Sequence, residues 1–177
     1  MSAARDRPAR ATVRQRAGVS NGTLFHHFPS RDDLAGAVIA AAMRAHQAEL
    51  VTELHAATAS RDAVAAVVQR HLRWVADNRR LARLLLSAAP QTLRVGLPAP
   101  ALSANREFFT QIAGWLTARG WTGSPPLTVV ASLWLGPAQY YARGWLADPD
   151  DSLHTVAADL AAGAWHALAP LLHPEDT

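Results

Sequence analysis

The sequence predicts an all-α protein, and three observations carry that prediction. Apolar residues recur at three- and four-residue spacing along most of the 177-residue chain, the period that lines one face of a helix. Half of the residues are hydrophobic, with the strong helix former Ala dominating. Gly and Pro gather at the breaks between periodic runs, and no alternating run competes as a strand. A chain of this length buries a good core in one or two domains. With no cysteine, disulfides, thiolate chemistry and zinc–cysteine sites are excluded. No run of about eighteen uncharged apolar residues occurs, and no signal peptide is visible, so a soluble cytoplasmic protein without a membrane partner is expected.

Thr12 to Leu34 reads as a short helix, a tight turn, a second short helix, a break and the start of a long helix. Ala17 is small enough for two helices to approach, and Gly18 suits the left-handed residue that ends the first. Val19 plugs the corner and Ser20 caps the next helix. These are the parts of a helix-turn-helix. Phe28-Pro29 stops the second helix, because the residue before proline is pushed out of the helical region. Ser30 followed by Asp33 is a capping box with Asp in place of the preferred Glu.

Beyond the break, Leu34, Val38, Ile39, Ala42, Met43, Leu50 and Leu54 predict one long helix over about 31–57. Ser60 is placed to cap a second helix striped by Val64, Val67, Val68, His71, Leu72 and Val75. Asn78 is placed to cap a short helix that ends before Pro90, and 90–100 reads as a loop. Phe108, Phe109, Ile112, Trp115 and Leu116 mark the next helix, stopped by Gly120. A helix over about 127–146 contains Gly136-Pro137, where the missing N–H predicts a kink. Ser152 is placed to cap a last helix running to about 172, rich in Ala and with no clearly polar face. Such a helix is expected in a subunit interface, where Ala161→Arg or Ala164→Arg should split a dimer.

The net charge of +3 hides an asymmetry. Residues 1–31 carry six Arg against one Asp, whereas the rest is slightly acidic. A basic head on an acidic body is the distribution of a nucleic-acid binder. The run Ala17-Gly18-Val19-Ser20, Gly22-Thr23-Leu24-Phe25-His26-His27-Phe28 and Ser30-Arg31 closely resembles the helix-turn-helix of the TetR family of transcriptional regulators. The resemblance implies a TetR-like fold with a DNA-binding domain over 1–45 and an effector-binding and dimerisation domain over 46–177. It also implies a homodimer through the last two helices, a double-stranded DNA operator and a small-molecule effector. Family members place an amphipathic helix of about four turns ahead of the helix-turn-helix pair. Met1 to Ala11, with Pro8 and several charges, do not supply it. An incomplete head is therefore expected, with residues 1–30 mobile and operator binding weak and salt-dependent.

In a recognition helix the N-terminal residues meet base edges, here Ser20, Asn21, Gly22 and Thr23. Asn21 suits adenine, Thr23 a thymine methyl or a phosphate, and Gly22 close backbone approach. By resemblance, Thr12, His26, His27 and Arg31 contact phosphates. Phe25 stands on the same surface where many relatives have Tyr, without the hydroxyl. Trp74, Phe108, Ile112, Trp115, Trp134 and Tyr141 fall on the helices that enclose the effector pocket in the resembled family, which suits a hydrophobic or aromatic molecule.

Catalysis finds little support. There is no Gly-rich phosphate loop, no Gly-x-Ser-x-Gly elbow and no His pair on one helix turn with a carboxylate. No cofactor or metal is expected: His46 and His55 are poorly spaced as ligands, and Asp148, Asp150 and Asp151 read as capping at a helix start. His71, alone on its stripe, reads as a core or pocket-edge residue. Two readings stand: a ligand-responsive DNA-binding regulator, most simply a repressor, or a dimeric small-molecule-binding or interaction protein that has lost DNA binding through a truncated head.

Overall fold

The computed structural model describes residues 30–87 and 99–172. The helix-turn-helix, the expected mobility of residues 1–30 and the loop after Pro90 lie outside those residues. The chain divides into two compact units, Met1–Val38 and Ile39–Thr177. That division and the sequence-based boundary at 45/46 fall in the same helix. The described residues form α1 (Arg31–Ala56), α2 (Ser60–Asp77), α3 (Arg79–Ser87), α4 (Ala99–Thr117), α5 (Leu127–Ala147), α6 (Ser152–Thr155) and α7 (Ala157–Leu168). A 3-10 turn over Ala169–Leu171 follows α7. No strand occurs among them, so the all-α expectation holds.

In the first unit, the start of α1 carries both arms of the capping box. The Asp33 amide donates to Ser30 Oγ at 3.0 Å, and the Ser30 amide donates back to the Asp33 carboxylate at 3.0 Å. Two backbone donors that no helical carbonyl can reach are thereby satisfied.

In the second unit, α2 packs against both α5 and α7, and α5 also receives α3 and α6. The apolar stripe of α2 explains this position. Val64, Val67, Val68, Leu72 and Val75 are all buried, as their spacing predicts, and Ala63 and Trp74 widen the stripe. On α1 burial is concentrated at Ala40, His46, Leu50 and Leu54, whereas Val38 is exposed despite its place on the expected stripe. The helix α5 runs from Leu127 to Ala147 with Pro137 inside it.

Polar bonds then fasten one helix to another. Trp134 Nε1 on α5 donates to the Val64 carbonyl of α2 at 3.1 Å. Arg83 on α3 donates through Nη2 at 2.7 Å to the Leu146 carbonyl near the end of α5, where carbonyls lack helical partners. Arg143 on α5 returns a bond from Nε to the Leu86 carbonyl at 2.8 Å. After α4, Gly120 at φ 102° permits a Schellman closure. There the Trp121 amide donates to the Leu116 carbonyl and the Gly120 amide to that of Thr117.

Several local expectations are corrected. Ser60 does not cap α2: it is the first helical residue, fully buried, and its hydroxyl has no partner among the described residues. Asn78 closes α2 instead of opening α3 by its side chain, since its Nδ2 donates to the Trp74 carbonyl at 3.1 Å. Helix α4 begins at Ala99, inside the stretch expected as loop. The last helix is broken at Val156 into α6 and α7, and Asp150 rather than Ser152 holds its start. Ala161 and Ala164 are 3% and 1% exposed in the single chain, so they belong to its core and are no place to test an interface. The outward residues of α7 are Ala158, Asp159, Ala162, Gly163 and His166.

Leu54 closes the core at the end of α1 and is fully buried. Leu54→Ala is expected to cost about 2–5 kcal/mol through lost burial and the cavity left behind. Urea unfolding followed by circular dichroism should show a lower midpoint with an unchanged slope.

Candidate functional site

The links between α1 and α2 define an antiparallel pair joined by residues 57–59. Side chains at similar distances from that turn meet: Arg70 reaches Glu49 at 2.6 Å, and Arg73 reaches Glu53 at 3.7 Å. On the inner side the same geometry brings His46 against His71, with His46 Nε2 and His71 Nδ1 3.0 Å apart. Trp74, one turn beyond His71, stacks on the His46 ring with centroids 4.3 Å apart and planes 25° from parallel. Gln47 links α1 to α4 by donating to Asn105 Oδ1 at 2.8 Å.

Both imidazoles are buried, at 9% and 3% exposure. Burial disfavours the charged form, and pushes His46 down to about 3, helped by repulsion from His71 and Arg70. Burial alone pushes His71 down to about 4. The pair is therefore neutral near pH 7. One ring donates to the other, and His46 Nδ1 and His71 Nε2 remain without partners among the described residues. The Gln47 side-chain oxygen and Trp115 Nε1 are buried and unpartnered in the same sense.

Of the residues expected around an effector, Trp74, Phe108, Ile112, Trp115 and Trp134 belong to one buried apolar cluster. Trp115 and Trp134 approach with centroids 5.9 Å apart, and the Arg119 guanidinium lies 4.2 Å from the Trp115 ring centroid. Tyr141 packs on the cluster's edge and donates from its hydroxyl to Ser152 Oγ at 2.8 Å. It also lines an open surface hollow of about 510 Å³ with Tyr140, Trp145 and Asp150. The Asp150 carboxyl is held below its usual range by the Ser152 hydroxyl and amide, which fits its place at a helix start. No group of three possible metal ligands occurs among the described residues, and His55 is exposed whereas His46 is buried against His71.

Sequence reasoning weighed His46 and His71 separately and missed their pairing. The signal was present: 46 and 71 lie 12 and 13 residues on either side of Thr58, on the inward stripes of consecutive helices. The DNA-contact candidates Thr12, Ser20, Asn21, Gly22, Thr23, Phe25, His26 and His27 lie outside the described residues, as does the side chain of Arg31.

The described helices follow, in sequence, a stretch with the turn and cap residues of a helix-turn-helix, the order found in DNA-binding transcriptional regulators. Residues 10–38 match the family described as bacterial regulatory proteins, tetR family. The match covers 29 of the 177 residues and takes in every residue from Thr12 to Arg31 singled out above, so that stretch is similar to the DNA-binding part of TetR-family transcriptional regulators. No curated protein matches the chain. No helix among the described residues is long and apolar enough to cross a membrane.

The histidine pair sets a pH dependence. Both folded-state pKa values lie below the unfolded value of 6.5, so the unfolded chain binds more protons between about pH 4 and pH 6.5. Stability should be fully present above pH 6.5 and fall as pH drops through that window. Each histidine adds a slope approaching about 1.4 kcal/mol per pH unit. Urea midpoints measured from pH 7.5 to 4.5 check this, and His71→Phe should flatten the slope.

Proposed function

We propose that this chain is a ligand-responsive repressor that holds an operator as a homodimer and releases it on binding a hydrophobic or aromatic small molecule. The observation that carries the proposal is the TetR-family match over residues 10–38, most of which lies in the basic N-terminal stretch 1–31. Ser20, Asn21, Gly22 and Thr23 meet base edges in this reading, while Thr12, His26, His27 and Arg31 hold phosphates and Phe25 packs beside them. Two half-sites about one DNA turn apart require a fixed spacing of two heads, and the effector acts by binding one spacing more tightly than another.

The effector is received among the helices that carry Trp74, Phe108, Ile112, Trp115, Trp134 and Tyr141. What supports this is an aromatic cluster threaded with unpartnered polar atoms, the mixture of apolar wall and sparse polar groups that small-molecule sites use. The dimer forms through α5 and α7. Val129, Leu133 and Tyr140 lie on one stripe of α5 and are exposed, Tyr140 by 79%. The outward face of α7 offers Ala158, Ala162 and Gly163, whose small size permits close helix approach.

Two measurements test the reading. Sedimentation velocity at micromolar concentration should show a dimer that Leu133→Arg converts to monomer, since a charge would enter an apolar contact. A monomeric wild type would refute the interface. Operator fragments selected from random DNA should bind with a steep salt dependence, weaken with Asn21→Ala by about 1–3 kcal/mol, and be released by small aromatics that also change tryptophan fluorescence. Failure to enrich any sequence would refute operator recognition.

A further inference from the structure

Buried polar atoms without partners are uncommon, because each forfeits its hydrogen bonds to water for nothing in return. Among the described residues, His46 Nδ1, His71 Nε2 and the Gln47 side-chain oxygen are three such atoms on two adjoining helices, with the His46 ring stacked on Trp74. The two histidines also hold each other in place at 3.0 Å. We propose that the His46–His71 pair is the polar anchor of the effector site, and that the effector is a neutral aromatic molecule bearing a hydroxyl group. This rests on the ligand-responsive reading above and adds the chemical class of the ligand.

The hydroxyl follows from proton counting. Each neutral imidazole carries one N–H, and one of these is used between the rings. Whichever ring donates, the pair leaves one open N–H and one open acceptor nitrogen. The two ends are exchanged when the shared proton crosses between the rings while the outer N–H gives up its proton and the outer acceptor nitrogen takes one up, so that both rings stay neutral. A hydroxyl both donates and accepts, so it is satisfied by either end in either tautomer. A carbonyl is satisfied only by the donor end. An anion finds no free charge here: the rings are neutral, and Arg70 is engaged with Glu49 at 2.6 Å. The aromatic body follows from the surroundings, since the histidine pair adjoins Trp74, on which the His46 ring itself stacks, and Trp74 belongs with Phe108, Ile112 and Trp115 to one apolar, largely aromatic cluster.

The test compares naphthalene, 1-naphthol and 1-naphthoate on the full chain, by tryptophan fluorescence and calorimetry. 1-Naphthol should bind about tenfold more tightly than naphthalene, the worth of about one buried hydrogen bond, with 1-naphthoate weakest. His71→Phe and His46→Phe should each erase the hydroxyl preference while leaving naphthalene affinity within about twofold. The wild-type comparison stands by itself if either variant fails to fold, which circular dichroism would reveal. Equal binding of naphthalene and 1-naphthol would overturn the proposal and leave the open nitrogens to water. Tightest binding of 1-naphthoate, or a hydroxyl preference that survives both substitutions, would overturn it as well. If none of the three binds, the aromatic-effector reading itself fails, and this inference with it.

Discussion

The burial of α2 is the constraint on which the body of this protein depends. Its stripe of Val64, Val67, Val68, Leu72 and Val75 is too wide to be covered by one neighbour, and α5 and α7 both pack on it. Each fully buried aliphatic side chain contributes about 1.5–3 kcal/mol over leaving it exposed. Once α2 lies between those neighbours, the remaining helices have few places to go. Helix α3 follows α2 after the single residue Asn78 and is held to α5 by Arg83 and Arg143, each of which reaches a main-chain carbonyl of the other helix.

Tryptophan solves a second problem in this core. Large rings fill the space between helices, and their indole N–H groups need acceptors once water is gone. Trp134 uses the Val64 carbonyl, Trp121 that of Pro125 and Trp145 that of Asp150. Trp134's bond joins two helices, Trp145's joins α5 to the loop that follows it, and Trp121's closes the loop between α4 and α5, so each ring also fixes an orientation. Trp115 departs from that rule. Its N–H is buried without a partner among the described residues, as are the outer nitrogens of the histidine pair. The histidine pair and Trp115 thus keep unsatisfied atoms on α1, α2 and α4, three helices that all contribute to the one buried apolar cluster.

This gives the chain two kinds of polar economy. The segment that matches the TetR family includes a cap whose work is local, the reciprocal bonds of Ser30 and Asp33. The body spends few charges internally: Glu49–Arg70 and Glu53–Arg73 lie partly exposed along α1 and α2, and the inner side of the same pair of helices is kept neutral. Two uncharged imidazoles in contact avoid the cost of burying a charge, yet keep the capacity to donate and accept hydrogen bonds. A leucine pair at these positions would pack as well and offer nothing.

What the sequence by itself determined is what depends on neighbours a few residues away. The limits of α1, the buried stripe of α2 and the reciprocal Ser30–Asp33 cap were all legible, because a helix period and a capping bond involve residues within one or two turns. The TetR-like head was legible for the same reason, as a run of turn and cap residues with narrow steric requirements. What only the tertiary structure decided is which way each helix is rolled about its axis. Ala161 and Ala164 face the protomer's own core while Ala162 and Gly163 face out, a choice that a helix apolar nearly all round does not announce. Ser60 is a good capping residue in isolation, but the packing of α2 buries it as the first helical residue. His46 and His71 become a pair only when α1 and α2 lie antiparallel with their stripes facing. That contact bridges 25 residues of sequence, and it exists because apolar burial on both helices leaves the two rings no other place.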